Sequence, residues 1–214
     1  MQKQWFNDLG FQENPLRMTP HERGFKKIDE MLPFIMRGGI VYLQGRYGTG
    51  KTSTLRTLIK RLKGKHRIVY FSCHQQKPDF EDLLYTNFLR RLLKIKAKGL
   101  IALIDEIQEI TDNEAQEIID LYKRKYIRSV VLASNADILD IPESLQQLIG
   151  TNVFVTGSLT LDEAWHLIKE RLGENELLTR DRVEKIYKRS SNPREFLQNV
   201  EDYCRRVYDT TQAA

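Results

Sequence analysis

The most specific chemistry in the chain is carried by eight consecutive residues, Gly45-Arg46-Tyr47-Gly48-Thr49-Gly50-Lys51-Thr52, with Ser53 behind them. Closely spaced glycines let a backbone curl so that several N–H groups point at one centre, and such a nest holds an anion. The stretch fits G-x-x-x-x-G-K-[ST] without a mismatch, which predicts a phosphate-binding loop lined by Gly45, Tyr47, Gly48, Thr49, Gly50, Lys51, Thr52 and Ser53. Lys51 is expected to reach the β- and γ-phosphates, and Thr52 to ligate Mg²⁺. Further on, Leu103-Ile104-Asp105-Glu106 ends an apolar run on two carboxylates. Asp105 is expected to hold the Mg²⁺ through water. Glu106 would orient the water that attacks the γ-phosphate, a general-base role. Such a pair can also be a solvated turn, but a phosphate loop earlier in the chain favours the chemical role.

These residues need a scaffold that brings them together, and the apolar periodicity supplies one. Strand-like and helix-like periods alternate between Gly39 and Thr156, which predicts a parallel sheet flanked by helices. The expected strands are 39–44, 68–71, 100–104, 130–133 and 153–155, with helices after the loop, from about Asp79 to Lys94, and from Thr111 to about Lys125. The run Leu100-Ile101-Ala102-Leu103-Ile104 is apolar on both faces and is expected to be central. From Thr160 the pattern is helical only. Thr160-Leu161-Asp162-Glu163 matches a capping box, a second helix starts near Thr179, and a third starts at Asn192-Pro193-Arg194-Glu195 with Asn as the cap. The expected division is an arm and linker over 1–38, an α/β domain over 39–157, a three-helix lid over 158–209 and a frayed tail over 210–214.

Length and composition bound the possibilities. The chain has 214 residues, 41% hydrophobic and 29% charged, which allows one main domain with a small appendage and excludes a disordered or fibrous chain. No apolar run is long enough to cross a bilayer and the start has no signal-like stretch, so a cytoplasmic, soluble protein is expected. Cys73 and Cys204 are too few for a disulfide framework and are expected to be buried thiols. The four histidines have no metal-ligand spacing. Trp5, Phe6 and Phe11 are expected to dock the N-terminal arm rather than to stack bases.

Beyond the phosphate loop, four stretches resemble the AAA+ ATPases. They are Phe11-Gln12-Glu13-Asn14-Pro15, Pro20-His21-Glu22-Arg23, Ala133-Ser134-Asn135 and Ser191-Asn192-Pro193-Arg194. Within that family the chain looks most like the replication-initiator branch and the related secretion- and transposition-linked ATPases. The resemblance spans nearly the whole chain and implies an ATP-hydrolysing enzyme with Mg²⁺, an α/β P-loop domain with a five-stranded parallel sheet, and a helical lid. It implies that Asn135 is sensor 1, near the catalytic water, and that Arg194 is sensor 2, reaching the γ-phosphate from the lid. His21 and Arg23 would lie in the linker that packs on adenine. By their types alone, Asn135 fits a turn after a strand, and Arg194 fits an exposed side chain on a capping turn.

One part of the family pattern is missing. An arginine usually lies between sensor 1 and the fifth strand, where a neighbouring subunit receives it, but Ile141 to Gly150 contains none. Arg124 and Arg128 are the nearby candidates, and slow or partner-stimulated turnover becomes the expectation. Lys51 to Lys98 holds 13 basic residues against 3 acidic, whereas Gly99 to Gly150 holds 4 against 10. This asymmetry suits either a DNA backbone lying on a face that includes Arg90, Arg91, Lys94, Lys96 and Lys98, or head-to-tail packing of subunits. A nucleotide state that controls assembly on DNA, or on a DNA-bound protein complex, is the resulting expectation. An ATP-gated scaffold with little hydrolysis and an ATPase acting on a protein or secretion assembly are the alternatives. The chain stops after the lid helices without a winged-helix extension, which sets the expectation against sequence-specific origin recognition.

Overall fold

The structure is a computed structural model and describes residues 4–17, 26–73, 97–107, 110–173 and 177–212. The helix expected from Asp79 to Lys94 lies outside the described residues, as do His21, Arg23, Arg90, Arg91, Lys94 and Lys96. The chain divides into two compact units, one formed by the described residues of Phe25–Arg46 and Lys51–Thr156, the other by those of Met1–Gly24, Tyr47–Gly50 and Gly157–Ala214.

The first unit is built on strands β1 (Ile40–Gln44), β2 (Ile68–Ser72), β3 (Leu100–Ile107), β4 (Ile127–Ser134) and β5 (Val153–Val155). All pair in parallel, in the order β2-β3-β4-β1-β5. The β3 and β4 runs are buried along nearly their whole length, as expected of strands covered on both faces. On one face Val41, Leu43, Ile101, Leu103, Val131 and Ala133 meet helices α1 (Lys26–Arg37) and α2 (Lys51–Leu62). On the other, Ile40, Tyr42, Ala102 and Ile104 meet α3 (Asp112–Lys123) and α4 (Glu143–Ile149). In a parallel sheet every strand leaves by the same edge, so the ends of β1, β2, β3 and β4 deliver Gln44, Ser72, Asp105 with Glu106, and Ser134 to one side.

Helix α1 replaces part of what was expected to be an arm. Ile28, Met31 and Ile35 are buried at helical spacing against the sheet, despite Pro33 inside the helix. The arm ahead of it belongs to the second unit, where Trp5 and Leu16 are buried among α5 (Leu161–Leu172), α6 (Arg180–Tyr187) and α7 (Pro193–Gln212). Trp5 meets Phe6 edge-on, in the docking role expected of these aromatics. Glu201, buried on α7, accepts from Arg17 Nε at 3.1 Å and Nη2 at 2.9 Å and from Arg205 at 3.0 Å, so an ion pair pins the arm.

Helix starts follow the sequence closely. Thr160 and Glu163 form the expected capping box, Thr111 and Glu114 a second one, and Asn192 Oδ1 accepts from the Glu195 N–H at 2.9 Å. Two expectations are corrected. Helix α7 runs on to Gln212, with the Thr210 and Thr211 hydroxyls bonding carbonyls one turn back, so the tail expected from Thr210 is helical to that point. Cys204 is buried, but Cys73, just past the end of β2, is only half-buried. Among the described residues no helix is long and apolar enough to cross a membrane.

Candidate nucleotide site

The phosphate loop leaves β1 and enters α2, so its lysine sits at the helix N-terminus, where the backbone N–H groups already favour an anion. Gly45 is buried and its N–H donates to the Ser134 carbonyl at 3.1 Å, which ties the start of the loop to the end of β4. Lys51 is almost fully buried. Its Nζ donates to the carbonyls of Gly45 at 2.6 Å and Arg46 at 3.2 Å, and to Asn135 Oδ1 at 2.6 Å. Burial lowers its pKa, and the charges of Asp105 and Glu106 pull the other way. A desolvated ammonium held by three neutral oxygens gains strongly when those partners are exchanged for phosphate oxygens.

The acidic pair sits on a bulge. Between Ile104 and Ile107, β3 advances three residues while β4 advances two, from Leu132 to Ser134. Glu106 takes up the extra length with φ at +57°, a left-handed conformation that costs a non-glycine residue about 1 kcal/mol. Backbone strain of that kind persists only where the surrounding structure holds it, and it clusters at active sites. Asp105 is buried. Its Oδ2 accepts from the Tyr70 hydroxyl at 2.9 Å and its Oδ1 from the Glu106 N–H at 2.9 Å. Glu106 Oε2 accepts from the Ser72 hydroxyl at 2.9 Å. The Tyr70 hydroxyl is pushed to a higher pKa by burial and by the Asp105 charge, so it stays a donor at any working pH.

Tyr70 and Ser72 were not singled out in the sequence. Tyr70 lies within the expected strand 68–71 and Ser72 just beyond it, and only the β2–β3 register, Ser72↔Asp105, reveals them as partners of the acids. Tyr42 was not singled out either, and Ser134 entered only within the stretch Ala133-Ser134-Asn135. The Tyr42 hydroxyl donates to the Ala136 carbonyl at 3.0 Å and Ser134 Oγ accepts from the Ala136 N–H at 3.0 Å, which fixes the turn carrying Asn135.

The tip of the loop, Tyr47–Gly50, groups with the helical unit. Tyr47 is 64% exposed, and the Arg194 guanidinium lies over its ring at 5.0 Å while also donating to its hydroxyl. Gly48 has φ at +81°, and a Cβ there would come within 2.6 Å of Asn192 Oδ1, so this position has no room for another residue. Arg124 and Arg128 do not approach the site. Arg124 caps α3 and Arg128 donates to the Met36 carbonyl, both at the edge of the sheet where strands begin.

The oxygen donors suit Mg²⁺. Thr52 at the first turn of α2 and the Asp105 carboxylate on β3 are hard ligands of the type this ion selects. Two protein groups alone are too few to hold it, and no cluster of three or more metal-binding side chains exists among the described residues. A bound nucleotide's phosphates would complete the set.

Residues 37–156 match the AAA domain family, more than half of the chain, and the chain belongs to that family. No curated protein matches it. Among solved structures it is similar to Cdc6p from Pyrobaculum aerophilum, with 18% identity and a TM-score of 0.59, covering 90% of this chain and 63% of that one. It is also similar to the Aeropyrum pernix ORC1 protein in complex with DNA, with 16% identity and a TM-score of 0.63, covering 93% and 63%. A RuvB point mutant from Thermotoga maritima gives 18% identity and a TM-score of 0.65, covering 94% and 69%. The chain thus spans about three-fifths of the length of the Cdc6p and ORC1 structures, and at such identities the likeness is one of fold.

Proposed function

We propose that this AAA domain binds Mg-ATP and hydrolyses it slowly or on stimulation by a partner, and that its nucleotide state controls assembly on DNA or on a DNA-bound protein complex. The observation that carries the reading is the Lys51 ammonium, buried between loop carbonyls and Asn135 with the bulged Asp105–Glu106 pair nearby. Phosphates entering the loop would draw Lys51 onto the β- and γ-oxygens. Asn135 would then be released to bond the attacking water. Glu106, which accepts from the Ser72 hydroxyl, would take that water's proton as general base. Asp105 is oriented by Tyr70 and by the Glu106 N–H. A bound Mg²⁺ would supply charge neutralisation for the transferred phosphoryl group, held by Thr52 and Asp105. Arg194 is suited to sense the γ-phosphate, since its contact with an exposed tyrosine is one that a triphosphate can outcompete. His21 and Arg23 are proposed to lie against adenine.

The DNA-linked part draws on structural neighbours that include the Aeropyrum pernix ORC1 protein in complex with DNA. A second reading, an ATP-gated scaffold that scarcely hydrolyses, is favoured by one observation: the segment from Ile141 to Gly150 has no arginine, and Arg124 and Arg128 lie at the opposite sheet edge. Light scattering with and without ATP and duplex DNA, run beside ATPase rates, separates the two. Growth in mass with ATP and DNA, coupled to turnover, supports the first. Assembly with turnover at the buffer background supports the second.

A further inference from the structure

Among the described residues the two ends of the sheet differ in charge: where strands end, carboxylates stand beside Arg46 and Lys51, and where strands begin only cations stand. At the edge where strands end stand Asp105, Glu106, Asp137 and Asp140. At the edge where strands begin, the described residues of the loops leading into β1, β2, β3 and β4 contain no carboxylate at all. They read Arg37-Gly38-Gly39, Lys63-Gly64-Lys65-His66-Arg67, Ala97-Lys98-Gly99 and Lys123-Arg124-Lys125-Tyr126, and Arg128 follows at the start of β4. That is nine lysines and arginines, every one exposed. None has an ion-pair partner among the described residues.

Sheet order makes these loops a row. The Gly99 N–H donates to the Lys125 carbonyl at 3.1 Å and the Ile101 N–H to the Arg67 carbonyl at 2.9 Å, so the β2, β3 and β4 loops are direct neighbours. The Tyr122 hydroxyl and Ser129 Oγ, each at 2.6 Å, bond the Gly38 and Gly39 carbonyls and join the β1 loop to the row. Strands about 4.8 Å apart make a row of four about 14 Å long. Lys98 lies 5.8 Å from the centre of the Tyr126 ring and Arg37 5.5 Å from that of Phe34, so the aromatic rings lie under the cations instead of projecting. Exposed large apolar side chains among the described residues are Tyr47, Tyr70, Leu148 and Val155, none of them in these loops. A protein partner needs such anchors at its interface centre. A polyanion needs only a file of unpaired cations on mobile stems.

We infer that this edge, opposite the phosphate loop, is a docking surface for the sugar-phosphate backbone of duplex DNA, bound without regard to base sequence. The inference deepens the DNA-linked part of the function proposed above and rests on it. Of the expected basic face only Lys98 lies among the described residues, and it stands in this row.

The test is fluorescence anisotropy of a labelled random-sequence duplex at several salt concentrations with the intact chain. The first variant is Lys65→Ala/Lys98→Ala/Lys125→Asn, with Asn chosen because Lys125 has φ at +62°. Its control removes three exposed cations of the helical unit, Lys185→Ala/Arg189→Ala/Arg206→Ala. Each lost phosphate contact lowers the slope of log K against log salt by about 0.9, so the edge variant should be shallower by about 3 and the control unchanged. ATP affinity of the edge variant should equal that of the wild type, which shows that the unit is folded. Equal slopes for the edge variant and wild type overturn this surface while leaving the DNA-linked function standing. Absence of salt-dependent DNA binding by the wild type overturns that function as well. Equal weakening by edge variant and control, or poly-glutamate competing as well as DNA per charge, overturns the surface in favour of bulk charge or an acidic protein.

Discussion

Asn135 at the end of β4 accepts a 2.6 Å hydrogen bond from Lys51 at the start of α2. Two residues 84 positions apart in sequence are therefore coupled directly. The ammonium has a neutral partner here, and in the function proposed above phosphate in the loop would draw Lys51 away and release Asn135 to bond the attacking water.

Asn135→Ala should accordingly lower turnover by about 10-fold or more while ATP affinity moves by less than about 3-fold, since the lost donor acts on the transition state and Lys51 keeps its phosphate contacts. Single-turnover hydrolysis together with equilibrium titration of a fluorescent ATP analogue separates the two quantities. An affinity loss with unchanged turnover would contradict the assignment.

Glu106→Gln removes the proton acceptor and keeps the shape. The variant should bind ATP as tightly as wild type and hydrolyse it at no more than about 1% of the rate. A rate close to wild type would mean that another group accepts the proton.

Arg194→Ala should weaken binding of a non-hydrolysable ATP analogue by about 10-fold and of ADP by less than about 2-fold, because only a γ-phosphate offers the guanidinium more than the Tyr47 ring does. Competition titrations measure both. Equal losses for the two nucleotides would make Arg194 a structural partner of Tyr47 only.

The Cys73 thiol is pushed up to about 11 by burial and by the charges of Glu114, Asp105 and Glu106. At pH 8 it should react with iodoacetamide about 100-fold more slowly than a free thiol, despite being only half-buried. Its folded pKa lies above the unfolded one, so the folded state holds more protons and its contribution to stability falls as pH rises from about 9 toward 11. Urea titrations across that range, with Cys73→Ala as reference, check the sign.

Much of the site was readable because it is local. The loop, the acidic pair and the caps at Thr160 and Asn192 each occupy a few consecutive residues whose spacing states its own geometry. Helix α1 was missed because Pro33 breaks the pattern. Its ring removes the hydrogen bond to the carbonyl four residues back, but burial of Ile28, Met31 and Ile35 outweighs that loss. Tyr70 and Ser72 escaped for another reason. A hydroxyl on one strand finds its carboxylate on the next only through register, and nothing within β2 itself signals it. The basic edge was hidden likewise, since its loops are far apart in sequence and meet only through strand order.

In the function proposed above, the loop around the buried Lys51 is a nucleoside triphosphate site. Isothermal titration of ATP with Mg²⁺ into wild type and Lys51→Ala measures it directly. Saturable one-to-one binding by wild type, weakened by about 100-fold or more in Lys51→Ala with the fold intact by circular dichroism, is the expected result. Equal affinities, or no binding by the wild type, would contradict the account.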